Sequence, residues 1–158
     1  MIDVSNAPRF VADCHLGKLA KYLRLMGYDT LYFTQIDDND LIRIANDEGR
    51  IILTRDKELS ERKKAPCTLL HATKLDKQLK ELLKIYRLAG ESAPFSRCIV
   101  CNTPLEPIDK ASVLERIPAK VANYFDRFEI CRECDRIYWH GDHYKKMKKY
   151  IEKVFKSG

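Results

Sequence analysis

Apolar positions over the first ninety residues alternate between short runs and helical stripes. Arg9 to Asp13 (RFVAD) is a short apolar run that ends in an acid. Leu16, Leu19, Ala20, Leu23 and Met26 then recur at three- and four-residue spacing, which predicts a helix with one buried face, stopped by Gly27. Tyr28 to Phe33 (YDTLYF) is aromatic-rich and strand-like. Asp38 stands where an N-cap belongs, ahead of Leu41, Ile42, Ile44 and Ala45, and Gly49 follows the last turn. Arg50 to Thr54 (RIILT) predicts a buried strand, and Cys67 to His71 (CTLLH) a fourth. Leu75, Leu79, Leu82, Leu83 and Tyr86 form another helical stripe, with Gly90 and Pro94 marking its end. This alternation predicts an α/β fold with a mainly parallel sheet covered on both faces.

From about Pro94 the alternation stops and turn residues and cysteine pairs take over. A last amphipathic stretch, Tyr144 to Phe155, carries Met147, Tyr150, Ile151 and Val154 at helical spacing among lysines. Two modules are therefore expected, residues 1–93 and residues 94–158. The second is too small to bury much core and needs another source of folding free energy.

Cys98-Ile-Val-Cys101 and Cys131-Arg-Glu-Cys134 supply that source. Each C-x-x-C pair lets two thiolates reach one ion at about 2.3 Å, and two pairs close a tetrahedral zinc shell. Redox or disulfide pairs are the competing reading, but two knuckles in tandem favour zinc. Four thiolates leave no open coordination position, so the role expected of the zinc is structural. His140 and His143 could replace a ligand, although surface or helix-cap roles suit them better. Cys14 beside His15 invites a nucleophile reading, yet a small buried hydrophobe is the plainer account of Cys14 and of Cys67.

The aspartates fall at informative places. Asp13 ends the first strand, Asp38 begins the helix after the second, and Asp56 follows the third in the run Leu53-Thr54-Arg55-Asp56. Ligands of open parallel sheets bind beyond the carboxyl ends of the strands, where strand order reverses. With the first strand central, between the second and the fourth, the three carboxylates can converge on one sheet edge. Crowded carboxylates repel, and a magnesium or manganese ion relieves that repulsion while activating water against a phosphodiester. Helix capping explains each acid singly but does not require three on one edge. Asp37 and Asp40 are close enough to exchange roles with Asp38.

Composition narrows the partners. The chain has 158 residues, 45% apolar and 33% charged, with a net charge of +6. The basic excess, +2 over residues 1–93 and +4 over residues 94–158, suits a polyanion such as RNA. The sequence contains neither a membrane-length apolar run nor a secretory pattern at its start, so a cytoplasmic protein without membrane contact is expected.

The motifs RFVAD, LGKLAKYLRLMGYDT and DDNDLIRIANDEGRIILTRD, followed by SRCIVCNTPL and ICRECDRIYWHGDHYKKM, resemble the PIN-like ribonuclease family known as the Mut-seven C-terminal domain. The resemblance runs from Arg9 to Met147. It implies a three-layer α/β/α PIN fold joined to a zinc ribbon, and divalent-metal-dependent endonucleolytic cleavage of RNA leaving a 3′-hydroxyl and a 5′-phosphate. It places Asp13, Asp38 and Asp56 in the first three acidic positions, with Asp40, Glu58 and Glu61 as candidates for a fourth. Lys18 and Arg55 lie near these acids in sequence and are candidates to hold the scissile phosphate.

Lys145, Lys146, Lys148 and Lys149 follow Tyr138, Trp139 and Tyr144, a pattern suited to phosphate contacts and base stacking on RNA, with tRNA and rRNA among the substrates to consider. Core packing is the stronger expectation for Trp139. Two function classes follow: a metal-dependent RNA endonuclease acting in RNA processing or turnover, and a non-catalytic RNA- or ribosome-binding adaptor on the same scaffold. A toxin-like nuclease is disfavoured, because typical toxin PIN domains lack a ribbon.

Overall fold

A computed structural model describes residues 7–88 and 95–156. Gly90, Pro94 and the expected module boundary at 93/94 lie outside the described residues. The chain divides into two compact units, residues 1–102 and 103–158.

The first unit runs β1 (Phe10–Ala12), α1 (Gly17–Leu25), β2 (Thr30–Tyr32), α2 (Asp38–Glu48), β3 (Ile51–Thr54), α3 (Lys57–Glu61), β4 (Cys67–Leu69) and α4 (Leu75–Tyr86). The four strands form one parallel sheet in the order β2-β1-β3-β4, with Val11 opposite Leu31 and Ile52. The first strand therefore lies between the second and the third, not between the second and the fourth. This order puts the ends of β1 and β3 side by side.

Alternation along the strands builds two apolar faces. Val11 and Ile52 pack with Leu41 and Ala45 of α2 and Leu59 of α3. Phe10, the preceding residue, points the other way and meets the rings of Tyr28 and Tyr86 at 6.3 and 5.5 Å. Leu19, Leu23, Leu79 and Leu82 of α1 and α4 are wholly buried. The helices α1, α2 and α4 and the strands between them thus follow the predicted stripes, with ends trimmed by a residue or two.

One cap differs from expectation. Asp37, not Asp38, is the N-cap of α2: it is extended, and its Oδ1 accepts the Asp40 N–H at 2.8 Å. Asp38 is already the first helical residue. Gly49 does end the helix, at φ 65° and ψ 45°, a left-handed conformation in which glycine carries no Cβ penalty.

The second unit contains β5 (Glu106–Ile108), α5 (Lys110–Val113), a 3-10 turn (Leu114–Arg116), α6 (Ala119–Tyr124), β6 (Phe128–Ile130), β7 (Ile137–Tyr138) and α7 (Asp142–Lys156). Its three strands are antiparallel in the order β5-β6-β7. Val113, Ile117 and Phe128 form its core, against which Trp139 packs, as expected of that tryptophan. Among the described residues no helix is long and apolar enough to cross a membrane.

Candidate functional site

Asp13 follows β1 directly. Its N–H donates to the Leu53 carbonyl at 2.9 Å, and its own carbonyl accepts the Leu16 N–H at 2.9 Å, so the backbone turns sharply out of the sheet. Asp56 follows β3 and caps α3, its Oδ1 accepting the N–H groups of Glu58 and Leu59 at 2.9 and 3.4 Å. Asp56 Oδ2 takes no part in that cap.

Thr54, the last residue of β3 and fully buried, connects the two acids. The Asp56 N–H donates to Thr54 Oγ1 at 3.0 Å, and the Thr54 hydroxyl donates to Asp13 Oδ2 at 2.8 Å. A hydroxyl has one proton, so this relay fixes its direction and presents Asp13 as an acceptor. Strand order makes the place significant. The chain leaves β1 for β2 on one side and β3 for β4 on the other, so the crevice of a switch point lies between the carboxyl ends of β1 and β3. Asp13 and Asp56 stand at those two ends.

Two thiols lie in the field of the same carboxylates. Burial, and then the charges of Asp13 and Asp56, push the Cys67 thiol up to about 11. Cys14 is raised as well, first by its hydrogen bond to Asp13, then by burial and the Asp13 charge, with Asp38 adding its own. Asp13, Cys14 and His15 have one ligand atom each within 4.8 Å of the others. Asp38 and Asp56 stand outside that group at this distance.

Asp38, Asp40 and Glu61 have ion-pair partners of their own. Asp38 pairs with Arg62 at 3.8 Å, and Asp40 with Arg43 at 3.0 Å. Glu61 pairs with Lys57 at 3.8 Å, and Glu58 is exposed in the first turn of α3. Lys18 is exposed in the first turn of α1, and Arg55 is exposed between β3 and α3. On α7, Lys145, Lys146, Lys148 and Lys149 are all exposed, while Met147, Ile151 and Val154 are buried.

The cysteine pairs share one local geometry. Asn102 donates its N–H to the Cys98 carbonyl at 2.8 Å with φ 69°, and Asp135 donates to the Cys131 carbonyl at 2.7 Å with φ 65°. Each knuckle thus closes with a left-handed residue directly after its second cysteine, a conformation Asn and Asp tolerate. The Cys101 N–H also points at Cys98 Sγ, at 3.3 Å. All four sulfurs lie within 4.8 Å of one another, and Cys98 and Cys131 are buried. Tetrahedral zinc with bonds of about 2.3 Å sets its sulfurs about 3.8 Å apart, so the set can hold a metal ion and suits a structural zinc. Among the described residues neither His140 nor His143 joins this group, and the His140 ring stacks on Tyr144 at 4.0 Å.

The family model of the Mut7-C RNAse domain matches residues 8–151. The chain belongs to that family. The match spans Asp13, Asp38, Asp56 and all four metal-suited cysteines. A ribonuclease domain implies RNA as substrate and a nuclease-like function. No curated protein and no solved structure matches the chain.

Within this Mut7-C domain, sequence reasoning passed over Thr54. The signal lay in the run Thr54-Arg55-Asp56, where a hydroxyl at the last inward strand position can accept the Asp56 N–H and donate to Asp13. It also passed over Asp29, which gathers Arg9, Arg50, Arg97 and Asn102 at the opposite end of the sheet. Those partners are scattered along the chain, so no local spacing betrays them.

Proposed function

We propose that this Mut7-C chain is a divalent-metal-dependent endoribonuclease, with a PIN-like three-layer α/β/α domain over residues 1–93 and a zinc-ribbon module with its terminal helix over residues 94–158. The observation that carries the reading is the relay from the Asp56 backbone N–H through the Thr54 hydroxyl to the Asp13 carboxylate at the switch point of the sheet. Capping alone accounts for Asp56 Oδ1, but not for a buried hydroxyl aimed at Asp13.

The donor set suits a hard cation. Asp13 and the uncommitted Oδ2 of Asp56 offer carboxylate oxygens, with Asp38 as the third acid, and such ligands favour magnesium or manganese. When bound, such an ion supplies Lewis acidity toward a phosphodiester oxygen and a more acidic water. The chain's own residues do the rest. Thr54 holds Asp13 in one orientation, while Lys18 and Arg55 neutralise the phosphate that enters between the acids. The lysines 145, 146, 148 and 149 hold the RNA backbone without regard to sequence. The products are a 3′-hydroxyl and a 5′-phosphate, and the setting is RNA processing or turnover in the cytoplasm, with tRNA or rRNA as substrates.

Two observations favour the adaptor reading instead: Asp38 is paired with Arg62, and Asp56 already caps a helix. The test separates the two. Purified chain with manganese or magnesium cleaves single-stranded or looped RNA, and Asp13→Asn abolishes cleavage while leaving the circular dichroism spectrum unchanged. Equal cleavage by both proteins would reject the nuclease reading and leave the adaptor.

A further inference from the structure

The turn after β1 brings together three unlike donors. Asp13, Cys14 and His15 offer a carboxylate oxygen, a sulfur and an imidazole nitrogen within 4.8 Å of one another. Consecutive residues of a strand would point to opposite faces. Here the chain has left the sheet: the Leu16 N–H returns to the Asp13 carbonyl, and the Tyr32 hydroxyl donates to the Cys14 carbonyl at 2.9 Å. Gly17 makes room for that clamp, since a Cβ there would stand 2.9 Å from the Tyr32 oxygen. His15 is exposed and Cys14 half-buried, so an ion can reach the turn from solvent.

A thiol and an imidazole next to a carboxylate are poorly matched to magnesium. They match a borderline cation such as zinc, for which mixed sulfur, nitrogen and oxygen ligands are ordinary. We infer that Asp13, Cys14 and His15 form a second, solvent-accessible zinc site, separate from the four-cysteine centre, and that zinc bound there displaces the hard cation because both need Asp13. The inhibitory half of this inference rests on the reading given under Proposed function; the binding half does not.

The experiment uses the full chain, already loaded with zinc at its four cysteines. It is dialysed against micromolar free zinc and its metal content measured, alongside Cys14→Ser and His15→Ala. The wild type retains about two equivalents and each variant about one. Removing a ligand weakens the second equivalent by roughly tenfold or more. In parallel, zinc suppresses manganese-supported RNA cleavage in the wild type, and suppresses it less in Cys14→Ser. One equivalent in the wild type, or two in both variants, would overturn the assignment. If no protein cleaves RNA, the nuclease reading fails and the zinc count still decides this one.

Discussion

Replacing Asp29 by asparagine should destabilise the first unit by about 2 kcal/mol. The carboxylate lies 2.7 Å from Arg50 Nη1 and 2.6 Å from Asn102 Nδ2, with Arg9 at 3.4 Å and Arg97 at 3.9 Å. Arg50 is only 5% exposed. An asparagine can keep its oxygen on Arg50 and Asn102, which both donate to Oδ1, but its NH₂ then faces the Arg9 and Arg97 guanidinium groups at the Oδ2 position, and three guanidinium groups lose their shared counter-charge. Removing one partner of a fully buried ion pair costs about 3–5 kcal/mol. The Asp29 side chain is 20% exposed, and Arg50 keeps Glu48 and the carbonyls of Phe10 and Asp29, so the cost falls below that range, to about 2 kcal/mol. With a urea dependence of about 2 kcal/mol per molar, the midpoint followed by circular dichroism falls by about 1 M.

The same pair carries a pH signature. Burial works to raise the Asp29 pKa, but the Arg50 and Asn102 hydrogen bonds and the charges of Arg50 and Arg97 outweigh it, and the group stays below the usual carboxylate range. A depressed carboxyl stabilises the fold above its unfolded pKa, and that contribution is lost as pH falls through the folded value. The gap between wild type and Asp29→Asn should therefore be full near neutrality and close in acid. A loss under about 0.5 kcal/mol at neutral pH, or a gap that persists in acid, would show that Asp29 is not held as a charged partner of Arg50.

Three further outcomes are expected. Cys98→Ser should lower zinc content and the melting temperature together; zinc loss with an unchanged melting profile would contradict a structural role. The raised Cys67 thiol keeps its proton in the fold after the unfolded chain has lost it, so stability falls between about pH 9 and 11, and Cys67→Ser should flatten that decline in pH-dependent unfolding. Replacing Lys145, Lys146, Lys148 and Lys149 by alanine should weaken RNA binding across all sequences and reduce the salt slope by about 0.7 for each phosphate no longer neutralised, measured by filter binding over a salt series.

What the sequence made legible follows from what is local. The stripes of α1, α2 and α4 and the runs of β1 and β3 are set by burial on one helix face or within a parallel sheet, and period alone reveals them. The knuckles were legible for the same reason, since Cys98 and Cys101 must be neighbours to share an ion. Strand order was not, because pairing β1 with β3 rather than with β4 depends on residues far apart in the chain. The α2 cap lies one residue before its expected place because Asp37 and Asp38 are chemically equal, and only the extended backbone at Asp37 tells them apart. The short helices α5 and α6 went unseen inside the insert between the knuckles: they span 4 and 6 residues, too few to display a period.

Under the proposed function, Asp13 and Asp56 serve one hard cation at the switch point. Manganese binding followed by electron paramagnetic resonance tests it most directly, on zinc-loaded wild type, Asp13→Asn and Asp56→Asn. Asparagine is as good an N-cap as aspartate, so Asp56→Asn leaves α3 in place. A manganese ion should bind the wild type, with its affinity lowered roughly tenfold or more in both variants. Undiminished manganese affinity in either variant would contradict that shared role.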